Sequence, residues 1–212
     1  LFSAVEMSMQ APFVDAAASI DPNNRGNTYI SYYTWGAGVG LGLDLALRAR
    51  GRSLDGYMQA MWREFGRHQD TASHTPTKPY TLADLRNTLA AYSGDRAFAD
   101  DFFRRYVEGH EVPDYERLLA PAGLLLRRAQ PGRAWIGESA IGFEDGSAVV
   151  DGYPLTGSPL YRAGLTGGDR IVSLGGRPVA TQADVAAVLA AAKPGDTIPI
   201  EFGGRAGPRT AT

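Results

Sequence analysis

The sequence predicts a multidomain protein: a mainly α-helical part over residues 1–129, then a β-rich α+β domain over residues 130–212. Three observations carry this. The 212-residue chain is long enough for two domains of roughly 100 residues each. Between Ser53 and Leu119 the apolar residues recur at helical spacing. After Pro121 that period is lost, Gly and Pro become frequent, and short β-like runs take over. The Gln130–Gly132 stretch reads as the linker between the two textures.

In the first part, Ser53 can cap a helix whose Leu54, Met58, Met61, Trp62 and Phe65 follow helical offsets. Thr81 with Asp84 three residues on has the form of a cap with a reciprocal acid, ahead of Leu82, Leu85, Leu89 and Tyr92 on one face. Asp95 can open a third helix bearing Phe98, Phe102, Phe103, Tyr106 and Val107, stopped by Gly109. Asp114 can start a short turn with Tyr115, Leu118 and Leu119. These helices are expected to pack on one another. Val39–Leu47 is ambiguous, because strict alternation suits a strand whereas Gly and Ala on the off-beats suit a tightly packed helix. In the second part, strands are expected at Leu124–Leu126, Trp135–Ile141, Ala148–Val150, Arg170–Leu174 and Ile198–Phe202, with helices starting at Ser158-Pro159 and running from Thr181 to Ala192.

Apolar residues make up 44% and charged residues 21%, too apolar for a disordered chain. The net charge of −2, from 21 basic and 23 acidic residues, argues against a nucleic-acid-binding surface. No cysteine is present, which removes disulfides, Cys-ligated zinc and a thiol nucleophile, and leaves the compartment open. The charge-free run Gly26–Leu43 is broken by five glycines and is no membrane span, which needs ~20 mainly apolar residues. A start at Leu1, with no basic leader segment ahead of the fold, reads as a piece of a longer protein. No H-E-x-x-H, G-x-S-x-G, P-loop or G-x-G-x-x-G motif occurs, and His68, His74 and His110 lack metal-ligand spacing, so no metal site is expected in this chain. The adjacent acids Asp100-Asp101 and Glu144-Asp145 read as surface charges.

Ser158-Pro-Leu-Tyr-Arg-Ala-Gly-Leu165, followed by Gly168-Asp-Arg-Ile-Val-Ser-Leu-Gly-Gly176, resembles the signature of bacterial PDZ domains. Its logic is local: Gly164 supplies a left-handed helix stop, Gly168-Asp169 a turn, and Ile171, Val172 and Leu174 an apolar strand. The resemblance implies an extended peptide or C-terminus added beside a sheet edge. It implies a carboxylate-binding loop at Trp135, Ile136, Gly137 and Glu138, and a helical wall offering Val185 and Leu189. Gly203–Arg209 is turn-like, and the closing strand is expected to be missing or reduced to a stub from Thr210.

Ser31-Tyr-Tyr-Thr-Trp-Gly36, continuing through Leu41-Gly-Leu-Asp-Leu-Ala-Leu-Arg48, resembles the Tyr-Tyr-x-x-Gly…Leu-Asp block of the glycyl aminopeptidase family. Ser53-Leu-Asp55, Phe102–Gly109 and Tyr115–Leu119 agree in order. These are gluzincin-type bacterial zinc metallopeptidases with a C-terminal PDZ domain. The resemblance implies the helical side of a thermolysin-like catalytic region, with a helix over Tyr33–Arg50. It implies a whole protein that hydrolyses peptides with a zinc-activated water, the zinc ligands lying upstream of the Tyr-Tyr block, so that this chain alone is inactive. It implies that Tyr33, in Tyr33-Thr-Trp-Gly36, donates its phenol hydrogen bond to the oxyanion in the intact enzyme, Tyr32 being about 100° away on a helix. The family often carries a basic residue where Trp35 stands. The other reading is a non-catalytic peptide-binding or scaffold module made of a helical domain and a PDZ domain. Either way the expected partner is a peptide, with periplasm and cytoplasm both open as compartments.

Overall fold

The computed structural model describes residues 2–16, 25–204 and 207–212. The chain divides into two compact units, one of Leu1–Ala18 with Tyr29–Arg127, the other of Ser19–Thr28 with Arg128–Thr212. No helix of the described residues is long and apolar enough to cross a membrane.

The first unit is helical. It opens with α1 (Ala4–Met9), whose Ser3 and Glu6 form a reciprocal cap, and α2 (Ala11–Ala16). A short helix, α3 (Arg25–Thr28), is grouped with the second unit. The first unit continues with α4 (Tyr32–Arg48), α5 (Leu54–Met61), α6 (Leu82–Ser93), α7 (Arg96–Phe102) and α8 (Tyr115–Leu119). Both α5 and α7 widen into one π turn at their ends, Trp62–Gly66 and Phe103–Val107. The caps are where the sequence put them: Ser53 accepts from the Gly56 amide, Thr81 and Asp84 exchange side-chain bonds, Asp95 accepts from Phe98 and Asp114 from Arg117.

The ambiguous Val39–Leu47 segment is the middle of α4. Its glycines serve close approach rather than a pleat. A Cβ at Gly42 would stand 2.8 Å from the Pro113 ring, and the Tyr115 hydroxyl donates to the Gly38 carbonyl at 2.7 Å. Leu43, Leu47, Tyr57, Leu89, Phe102 and Phe103 form the core. Burial pushes the Tyr57 phenol up to about 12, and its hydroxyl donates to the Leu85 carbonyl. One expectation fails here. Met58 and Trp62 are both 61% exposed, whereas Tyr57 is the residue that α5 turns inward.

Gly56 makes the first testable point. A Cβ there would lie 2.0 Å from the Tyr92 hydroxyl, which accepts from the Ser53 amide at 3.3 Å. Gly56→Ala is expected to lower stability by about 1–3 kcal/mol, since the ring must move and the bond is lost. Thermal melts within about 0.3 kcal/mol of the parent would refute this.

Acid sensitivity also follows from the caps. The Arg48 guanidinium, then the Leu54 amide, hold the Asp44 carboxyl below the usual carboxylate range. The Thr81 hydroxyl does the same for Asp84, the Thr181 hydroxyl for Asp184, and Arg104 for Asp101. Folded carboxyls with lowered pKa stabilise the fold above their unfolded values of about 4, and that contribution is lost as pH falls through the folded values. Circular-dichroism melts are therefore expected to be flat from about pH 5 to 7 and to fall below about pH 4. Asp44→Asn is expected to lower Tm at neutral pH and flatten the acid limb.

Among the described residues, the second unit adds to α3 a six-stranded antiparallel sheet and two further helices. The strands are β1 (Ile141–Glu144), β2 (Ser147–Val150), β3 (Arg170–Leu174), β4 (Arg177–Pro178), β5 (Ile200–Gly204) and β6 (Gly207–Ala211), in the order β1-β2-β3-β5-β6 with β4 on β3. Between them lie α9 (Pro159–Arg162), capped by Ser158, and α10 (Gln182–Ala191), capped by the Thr181/Asp184 pair. Val150, Leu160, Ile171, Leu189, Ile200 and Phe202 anchor the core. The Asn27 side chain joins α3 to the 154–156 loop, accepting from the Thr156 amide at 2.7 Å and donating to the Pro154 carbonyl.

Three expectations are corrected. Leu124–Leu126 forms no strand; Leu125 is 85% exposed, since no strand lies beside the run to pair with it. The Trp135–Ile141 strand does not exist: Gly137, at φ +90°, breaks the run, a 3-10 turn covers Glu138–Ala140, and extended pairing starts only at Ile141. The closing strand is present as β6, paired with β5 from Ile200↔Ala211 to Gly204↔Gly207. The turn expected through Gly203–Arg209 is thus strand at both ends, with Arg205 and Ala206 outside the described residues. Arg209 holds β6 to the core: it pairs with the buried Asp169 at 3.0 Å and lies 4.7 Å over the Phe202 ring.

Candidate functional site

Among the described residues of the second unit, β1 is an edge strand, paired on one side only, to β2. The Asp151 amide donates to the Ala140 carbonyl directly opposite it, so the bonded pairs continue at Gly142↔Val149 and Glu144↔Ser147. Ile141 and Phe143 therefore direct their backbone groups away from the sheet. The Ile141 amide is used locally, by the Glu138 carbonyl. That leaves the Ile141 carbonyl and both backbone groups of Phe143 to bond an added strand. Beside this edge runs α10, and between them is a groove with a cavity of about 280 Å³.

Val185 and Leu189 line this groove, as the sequence proposed, although both belong to the core and Leu189 is only 1% exposed. Glu138 lines it too. Trp135 and Ile136 do not; they line a separate cavity of about 470 Å³ with Leu160 and Ile198. Gly137 is buried between them in a left-handed conformation, and a Cβ there would lie 3.0 Å from Ser158 Cβ. The Ile136 carbonyl accepts from the Leu160 amide, tying this loop to α9. Ile141 and Phe143 are the groove residues that sequence reasoning missed. The Asp145-Gly146 hairpin signal could have found them: both residues have positive φ, which fixes the strand just before them.

Tyr33 lies in the first unit, second residue of α4, with its side chain 72% exposed and its ring 4.6 Å from that of Tyr32. Its hydroxyl has no hydrogen-bond partner among the described residues. The Trp35 indole N–H, one turn in, is buried and also unpartnered. An exposed neutral phenol on a rigid helix start is free to donate to an incoming group. Among the described residues no three His, Asp or Glu side chains converge as a metal site.

The class of the second unit is given by a match of residues 150–202 to the PDZ domain family. The match starts at the end of β2 and includes β3, β4, α9 and α10, so the β1 edge lies just ahead of it. The chain as a whole is similar to a solved aminopeptidase N family protein from Idiomarina loihiensis, at 25% identity and a TM-score of 0.69. That likeness covers 99% of this chain and 37% of the other, so this chain spans little more than a third of that structure's length. A fainter likeness, 18% identical with a TM-score of 0.34 over 45% of this chain and 30% of the other, is to an HtrA-type protease solved with a decapeptide. No curated protein matches the chain. Both resemblances drawn from the sequence, to an aminopeptidase and to a PDZ domain, stand.

Proposed function

We propose that the chain is the C-terminal portion of a zinc-dependent aminopeptidase of the glycyl aminopeptidase family. It would supply the helical side of the catalytic region, with Tyr33 as oxyanion donor, and a PDZ domain that takes an extended peptide. The observation that carries this reading is the likeness to an aminopeptidase along 99% of the chain, which includes the Tyr33-x-x-Gly36 helix start. The residues present do not suit a zinc site, since His68, His74 and His110 join no cluster of possible ligands among the described residues. The resemblance to the glycyl aminopeptidase family would place the metal on residues upstream of the Tyr-Tyr block. This chain's share of the chemistry is the phenol, which costs no proton transfer to use and can be aimed where negative charge develops.

The test compares the chain with its full reading frame on Gly- and Ala-anilide substrates, with zinc measured by equilibrium dialysis. The chain alone is expected to bind no stoichiometric zinc and to turn over nothing, while the longer protein turns over substrate and is stopped by chelator. Turnover by the chain alone would overturn the assignment. The β1/α10 groove favours the second reading, a binding module without chemistry. A full reading frame that binds peptides yet never hydrolyses them would select it.

A further inference from the structure

We infer that the β1/α10 groove takes an internal extended segment of a polypeptide and rejects a free C-terminal carboxylate. This rests on reading the groove as the peptide site. Capture of a chain terminus needs backbone N–H groups left open at the head of the groove. Here Ile136, Gly137 and Glu138 lie just ahead of β1, and of the three Glu138 lines the groove. The Ile136 amide is not open: it donates to Glu138 Oε2 at 3.2 Å. The protein's own carboxylate is thus fixed at this end of the groove, and a second carboxylate brought beside it meets like charge.

The charged side chains facing this point are Glu138 itself and Arg133. Arg133 donates to Gln130 Oε1 at 3.0 Å and makes no ion pair with Glu138 among the described residues. The Glu138 carboxylate, with no ion pair among the described residues, makes this end of the groove an acceptor. It complements an N–H, which a continuing peptide backbone has and a terminal carboxylate lacks. The rest of the groove makes no demand for a terminus. The Ile141 carbonyl and the Phe143 amide and carbonyl can bond a strand at any point along a chain, and Ile141, Phe143 and Val185 offer an apolar seat for one side chain.

The test uses the whole chain and a degenerate hexapeptide library with a fixed Val, prepared as free acid, as amide and with a Gly-Ser extension. The amide and extended forms are expected to bind at least about ten-fold more tightly than the free acid. Glu138→Ala removes the carboxylate from the groove and is expected to bring the free acid level with the other two forms. Glu138→Gln, which can keep the hydrogen bond without the charge, is expected to narrow the gap without reversing it. Because Leu189 is buried, the groove itself is probed with Phe143→Ala, 37% exposed, which is expected to weaken all three forms. Preference of the unmodified chain for the free acid would overturn this inference and leave the groove reading intact. Absence of binding by all three forms, or binding unchanged by Phe143→Ala, would overturn the groove reading and the inference with it.

Discussion

In the full-length protein, Tyr33→Phe is expected to lower kcat by about 10²–10³-fold with little change in KM. The substitution removes one hydroxyl and keeps the ring that lies against Tyr32. Because the Tyr33 hydroxyl makes no bond among the described residues and the side chain is exposed, its loss takes nothing from the fold. Unfolding free energy is expected to stay within about 0.5 kcal/mol of the parent, as for other surface changes. A donor used mainly in the transition state then shows itself in kcat, whereas a ground-state contact would move KM. Tyr32→Phe is expected to be milder, since that ring lies partly buried at the start of α4. Steady-state kinetics decide the matter. A near-normal kcat for Tyr33→Phe would make Tyr33 a packing residue and remove this chain from the chemistry.

Arg209→Ala is expected to destabilise the second unit by about 2–3 kcal/mol, at or just below the roughly 3–5 kcal/mol that breaking a fully buried ion pair costs. The Asp169 side chain is 3% exposed and accepts from Arg209 Nη2 and from the Thr166 amide, both at 3.0 Å. Truncating Arg209 strands a buried carboxylate with one amide for company and strips a cation from the Phe202 face. Arg209 is itself 37% exposed, so water can reach the gap, which is why the higher end is not expected. Adding Asp169→Asn to Arg209→Ala is expected to recover part of the loss, because the orphaned charge goes. Urea unfolding followed by Trp135 fluorescence reads this unit. A loss under about 0.5 kcal/mol, or strict additivity of the two changes, would show that β6 is held by strand pairing alone.

How far the sequence reached depends on the range of the interactions. Its helix starts were legible because a cap is a bond between residues three apart: Ser53 to Gly56, Thr81 to Asp84, Asp95 to Phe98, Thr181 to Asp184. Val185 and Leu189 followed from the period of α10, and β3 from a short apolar run closed by glycines. Tyr33 was reached through resemblance, since nothing in its neighbours separates a catalytic phenol from a packed one.

What only the tertiary structure decided lies between residues far apart in the chain. The alternation in Val39–Leu47 could not by itself separate helix from strand, and only the resemblance named a helix; the contacts of its small residues with Pro113 and Tyr115, about seventy positions on, came with the fold. The apolar Trp135 and Ile136 pointed to a strand, yet Gly137 turns the chain and sends both side chains to a cavity shared with α9. The Gly-Pro-Arg-Thr run of β6 has no apolar alternation of its own; pairing with β5 and the ion pair to Asp169 make it a strand. Glu138 was visible as a charge beside the loop, but not as the partner of the Ile136 amide, which depends on how Gly137 folds the loop back. Local hydrogen bonds and periods are written in neighbouring residues. Strand partners and the occupancy of a groove are set by burial against distant ones, and those appear only once the chain is folded.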